Sequence, residues 1–187
     1  TINLKNFLNT KPKISKMGEF QELKPIDGLE ISSYSADLYK NGRDDIALFY
    51  FKEGANYAAL YTTNSITSQT IEWNKKSNKS FTKGLLVNTK NANTFTGTNG
   101  LESIDALAKN LSRILTIRES KSDEGVSETV KIKDLLFAST GVIGETFPTE
   151  KIVSSLQNLV DKLRDDHNKL IWIKTASAIM TTDTKPK

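Results

Sequence analysis

The chain has 187 residues, of which 37% are hydrophobic and 26% charged, a balance that fits a folded domain and argues against a disordered one. The net charge is +4, but acids are interleaved with the lysines throughout, which argues against a nucleic-acid-binding stripe. With no cysteine and one histidine, disulfides and thiolate chemistry are excluded, a metal centre is not expected, and a reducing, cytoplasmic setting is.

In chain order, residues 1–24 are lysine-rich and weakly patterned, and read as an N-terminal arm or a loose first element of a single domain spanning residues 1–187. No signal-peptide pattern opens the chain, and no apolar run approaches the ~18 residues of a membrane span, so no membrane partner is expected. Leu29, Ile31 and Tyr34 alternate with polar residues as in a half-buried strand, and Lys40-Asn41-Gly42-Arg43-Asp44 marks a turn. Ile46 to Phe51 reads as a buried strand, Glu53-Gly54 as a turn, and Tyr57 to Thr62 as a second strand pairing antiparallel with it. Ser65 to Trp73 fits no single pattern. Gly84 to Asn88 is a third buried strand, running into the carboxamide-rich loop Asn88 to Asn93. That loop is either turn chemistry or a pocket wall.

Leu101, Ile104, Leu107, Ala108, Leu111, Ile114 and Leu115 then line one face of a helix, with Asn99 and Glu102 spaced as a capping box. Arg118 to Glu128 is charged and expected to be exposed. Leu135 to Ala138 is an apolar run stopped by Ser139-Thr140-Gly141, and Pro148 suits the first turn of a helix whose stripe is Ile152, Val153, Leu156, Leu159, Val160 and Leu163. Buried strands mixed with two amphipathic helices give the α+β class.

The chemistry is sparse. His167 sits among charges at a helix end and reads as solvated, as do the adjacent pairs Asp44-Asp45 and Asp165-Asp166. A Ser-His-Asp or Cys-His arrangement cannot be built around one such histidine. What remains is Ser, Thr, Gly and Asn at the ends of apolar runs: Asn88 to Asn93, Ser139 to Gly141 and Thr181 to Thr184. If these runs share a sheet, the three clusters converge at one end of it. Uncharged donors of this kind suit an oxyanion site or a small polar substrate.

Three stretches carry a resemblance. Leu136 to Glu145, L-F-A-S-T-G-V-I-G-E, resembles the A-S-T-G-V-I-G signature of the ornithine acetyltransferase (glutamate N-acetyltransferase, ArgJ) family. Ala178 to Lys187 resembles its A-I-M-T-T-D-T-x-P-K signature, and Val87 to Gly97 its V-N-S-G-N-A-N-A-x-T-G stretch. The resemblance implies a layered αββα sandwich, shared with aminopeptidase relatives. It implies a precursor that cuts itself into α and β chains assembled as an α2β2 heterotetramer. It also implies acetyl transfer from N-acetylornithine to glutamate, in arginine biosynthesis, through an acetyl-threonine at the N-terminus of β. Thr140 and Gly141 would form the oxyanion hole and Thr181 would line the substrate site. No cofactor is implied beyond acetyl-CoA as a second donor in bifunctional members.

The family's K-G and A-T-M segments, which carry a substrate lysine and the nucleophile, are not found after the Ala178 to Lys187 signature, and the one K-G pair, Lys83-Gly84, lies ahead of all three stretches, so the chain is expected to be the α portion. Thr89-Lys90 stands where the family has Ser-Gly, and a lysine at a position requiring φ > 0 would be strained. Two alternatives stand beside this reading: another N-terminal-nucleophile amidase or aminopeptidase, and a non-enzymatic small-molecule-binding relative whose loop Lys90 has reshaped.

Overall fold

A computed structural model describes residues 23–77, 79–121 and 129–184. Most of the expected arm, the stretch 122–128 and the last three residues of the C-terminal signature therefore lie outside the described residues. Four strands form one sheet: β1 (Leu29–Tyr34), β2 (Ile46–Asn56), β3 (Phe81–Asn88) and β4 (Leu135–Ser139), in that spatial order. β1, β2 and β3 pair antiparallel, and β4 joins β3 in parallel. Among the described residues the α-helices are α1 (Gln69–Lys76), α2 (Gly97–Ser120), α3 (Thr149–Asp161) and α4 (Lys169–Ala178). The class is α+β, and α2 is the crossover that a parallel β3–β4 pair requires.

Alternation along the strands sorts their side chains onto two faces. One face carries Ile46, Leu48, Tyr50, Leu86, Leu135 and Phe137, packed with the apolar stripes of α2 and α3 as the main core. Those stripes are the ones read from the helical spacing, except that Leu101 is exposed and Leu163, though buried, lies just past the end of α3. The other face carries Leu29, Ile31 and Ala47, buried where α4 packs against β1 and β2. Farther along that face, Phe49, Phe51, Leu85, Val87, Leu136 and Ala138 are only half-buried. The described residues thus supply one sheet with a full helical layer on one side and a partly open apolar surface on the other.

Several expectations change. Tyr57 to Thr62 is not a strand, and Leu60 within it is fully exposed. No sheet position is left for it: β2 is flanked by β1 and β3, and the outer edge of β1 exchanges both hydrogen bonds of Ile31 with Arg164 (2.9 and 3.2 Å). The free edge of β4 is covered by α1, where the Asn74 carboxamide donates to the Phe137 carbonyl (2.8 Å) and accepts the Phe137 N–H (3.0 Å). Trp73 Nε1 adds a bond to the Leu135 carbonyl at 3.2 Å. Glu53-Gly54 does not end the strand either. The β2–β3 register shifts between Tyr50 and Ala55, and Gly54 takes φ +77 where a β-carbon would strike the Phe81 ring. Asn99 is not an N-cap, because α2 begins at Gly97 with Thr96 at the cap and no side-chain capping bond. Pro148 precedes α3 at its cap rather than lying in its first turn.

Burial also overturns three solvated assignments. His167 is 2% exposed, and its Nδ1 accepts the Ile26 N–H at 3.1 Å, because the segment before β1 folds over it. Asp45 is fully buried; its carboxylate accepts the N–H groups of Ala36 (2.7 Å) and Leu38 (2.8 Å) and so ties down the β1–β2 connection. Arg118 is drawn into an ion pair with the buried Glu30 at 2.6 Å.

Candidate functional site

Parallel pairing puts Asn88 and Ser139 opposite each other at the same end of the sheet. The loops that leave them continue the ladder without being strands. Thr140 N–H donates to the Asn88 carbonyl (3.1 Å), Val142 N–H to Lys90 (2.8 Å), Ala92 N–H to Val142 (2.9 Å) and Gly144 N–H to Thr94 (3.0 Å). The Asn93 N–H reaches the Ser139 hydroxyl at 2.9 Å, and Asn91 Nδ2 reaches the Glu145 carboxylate at 2.9 Å. Two of the three sequence clusters are therefore one structure.

The close approach rests on Gly141. It takes φ +135, and a β-carbon there would lie 2.1 Å from the Lys90 carbonyl oxygen. Lys90 itself sits at φ +75, the left-handed conformation in which the sequence reading expects a lysine to be strained. Asn88 and Asn93 are buried and spend their side chains on the loop and on the first turn of α2. Asn88 Nδ2 donates to the Thr89 (3.2 Å) and Asn91 (3.0 Å) carbonyls, and Asn93 Nδ2 to the Gly100 carbonyl at 2.9 Å. Of the two readings of that loop, turn chemistry describes both residues.

The third cluster arrives through α4. Thr89 Oγ1 contacts the Ala178 carbonyl at 3.3 Å, and Arg43 Nη2 donates to the Ser177 (2.9 Å) and Met180 (2.6 Å) carbonyls. The guanidinium thus sits at the C-terminal end of α4, where a cation complements the helix dipole. Thr89 is in turn held by Asp45, whose carbonyl accepts the Thr89 N–H at 2.9 Å. Thr181, half-buried, follows directly from this anchor. All three clusters thus gather at the end of the sheet where β3 and β4 finish. Asp45 and Arg43, which support them, carry no motif; only the buried position of the one and the reach of the other reveal them.

The donors follow from the ladder geometry. Thr140 and Val142 turn their N–H groups toward the Asn88–Thr94 loop, so the intervening Gly141 N–H points the opposite way. Among the described residues, none accepts from the Gly141 N–H or bonds the Thr140 hydroxyl. The Thr140–Gly141 turn is half-buried to exposed and carries no charge of its own. Behind it, desolvation holds the Asp45 carboxyl above its ordinary range, with the Ala36 and Leu38 N–H groups opposing the shift. Among the described residues, no helix is long and apolar enough to cross a membrane.

The model of the ArgJ family matches residues 30–187. The chain is 31% identical over 172 residues to the arginine biosynthesis bifunctional protein ArgJ of Caulobacter vibrioides, covering 90% of this chain and 38% of that protein. It is 33% identical over 171 residues to the protein of the same name from Pseudomonas fluorescens, covering 91% and 38%. The chain thus spans about two-fifths of the length of these curated relatives. Its fold is similar to that of Mycobacterium tuberculosis ornithine acetyltransferase, crystallised in complex with ornithine (TM-score 0.74, 23% identity, 88% of this chain, 83% of that one). It is also similar to that of the arginine biosynthesis bifunctional protein ArgJ of Bacillus halodurans (TM-score 0.71, 20% identity, 88% and 80%). By the family match over residues 30–187, this chain belongs to the ArgJ family.

Proposed function

We propose that this chain is the α portion of a self-processing ornithine acetyltransferase, with Thr140 and Gly141 as its oxyanion hole and Thr181 lining the substrate site. The observation that carries the reading is the pair of adjacent, uncharged, unpartnered donors held at the sheet end by the loop ladder. The nucleophile is an N-terminal threonine on a β chain cut from the same precursor. Its hydroxyl attacks the acetyl carbonyl of N-acetylornithine while its own amino group, with an ordinary pKa of about 7.7–8.0, takes the proton. The carbonyl electrons move onto oxygen, which accepts hydrogen bonds from the Thr140 hydroxyl and the Gly141 N–H. The C–N bond then breaks, the proton goes to the departing ornithine amine, and an acetyl ester remains on threonine. The glutamate amine attacks that ester through a second anion in the same hole and leaves as N-acetylglutamate.

The half-buried sheet face around Phe49, Phe51, Leu85 and Val87 supports the partner assignment, since it would receive a β-chain sheet and complete an αββα sandwich. The working assembly is an α2β2 heterotetramer in the cytoplasm, and acetyl-CoA serves as a second donor if the enzyme is bifunctional. The test is acetyl exchange between N-acetylornithine and glutamate by the full-length processed protein. Thr140→Ala removes one donor and should lower kcat about a hundredfold or more while leaving the melting temperature unchanged. Unchanged turnover would overturn the oxyanion assignment.

A further inference from the structure

We infer that Lys90 is a specificity-determining residue of this site, recognising the carboxylate of an amino-acid substrate. The inference rests on the acetyltransferase reading above and adds to it a subsite that the family pattern, with glycine at this position, does not supply.

Three observations carry it. Lys90 holds φ +75, a conformation that glycine or asparagine adopts more readily, so a lysine here stands against local preference. Strain of that kind persists where the surroundings over-determine it, and it gathers at ligand sites. Lys90 is half-buried, yet among the described residues no carboxylate lies within ion-pair distance of its ammonium and no acceptor hydrogen-bonds it. The nearby Glu145 carboxylate takes its hydrogen bond from Asn91 instead. Finally, the Lys90 backbone is in direct contact with the oxyanion turn: its carbonyl accepts the Val142 N–H at 2.8 Å and lies against Gly141. The residue that carries this unpaired cation is therefore joined through its backbone to the turn that holds the two neutral donors.

That division of labour selects a substrate. The neutral donors take the acyl oxygen, on which charge appears only during reaction. The cation takes a group that is charged throughout. A free α-carboxylate beside an acylated amine meets both demands, and N-acetylornithine and glutamate each bring one to the same place in turn.

The experiment compares full-length processed wild type with Lys90→Gln, which keeps the side chain and its backbone strain but removes the charge, and with Lys90→Arg, which restores the charge. Lys90→Gln should raise KM for N-acetylornithine and for glutamate about fivefold at nearly constant kcat, and Lys90→Arg should recover most of the loss. The α-carboxamide of N-acetylornithine, which lacks the charge, should show the same KM with all three proteins. An unchanged KM for the carboxylates, or an equal rise for the carboxamide, would overturn the subsite. Ornithine binding by calorimetry reads the same contact without turnover: about fivefold weaker binding to Lys90→Gln supports it and equal affinity overturns it. A wild type that binds ornithine in this charge-dependent way but moves no acetyl would overturn the reaction and leave the subsite standing.

Discussion

Asp45 sits behind the site rather than in it, and its two roles explain why a buried carboxylate is kept there. Its side chain satisfies the Ala36 and Leu38 N–H groups, and its backbone carbonyl holds Thr89. Asp45→Ala should cost about 3 kcal/mol, because two donors are left without acceptors. The sign of its pH dependence follows from desolvation, which raises its folded pKa above the unfolded 3.8. A raised acid contributes most below the unfolded value and progressively less as pH rises through the folded one. The stability gap between wild type and Asp45→Ala should therefore be widest in acid and narrow toward neutrality, as urea titrations at a series of pH values would show. A gap that widened with pH would contradict the desolvated assignment. At this scale the sequence was legible where chemistry is local. The strain at Lys90 could be anticipated because a lysine stands there in place of the glycine of the resembling family, and glycine takes φ > 0 freely. The burial of Asp45 and His167 could not, because it comes from segments remote in the chain.

Among the elements, α2, α3, β1, β2, β3 and β4 were legible because each carries an apolar period that its packing uses. α1 was not. Its one buried residue is Thr70, Trp73 is only partly buried, and the helix is held instead by hydrogen bonds from Trp73 and Asn74 to the edge of β4. The Asn74 carboxamide stands in for a missing strand at an edge that would otherwise offer unpaired groups to other chains. Asn74→Ala should destabilise the fold by about 2 kcal/mol, and raise self-association on partial unfolding. Chemical denaturation and light scattering would check this, and a variant as stable and monodisperse as wild type would show that β4 needs no cover. The apolar run from Tyr57 to Thr62 failed as a strand for the converse reason: its pattern is adequate, but both edges of the sheet are already taken.

Across the whole molecule, the candidate site gathers the ends of β3, β4 and α4, three parts far apart in sequence, at one end of a single sheet. That convergence was anticipated only conditionally, since strand order is a tertiary property that no local pattern encodes. On the proposed reading, the half-buried sheet face packs against a larger body, the β chain, and that body brings the threonine that the oxyanion turn serves. The most direct measurement is denaturing intact mass of the full-length expressed protein, before and after incubation with N-acetylornithine. The account predicts two polypeptides, the second beginning with threonine and becoming heavier by one acetyl group on incubation. A single uncut polypeptide that gains nothing from N-acetylornithine would contradict it.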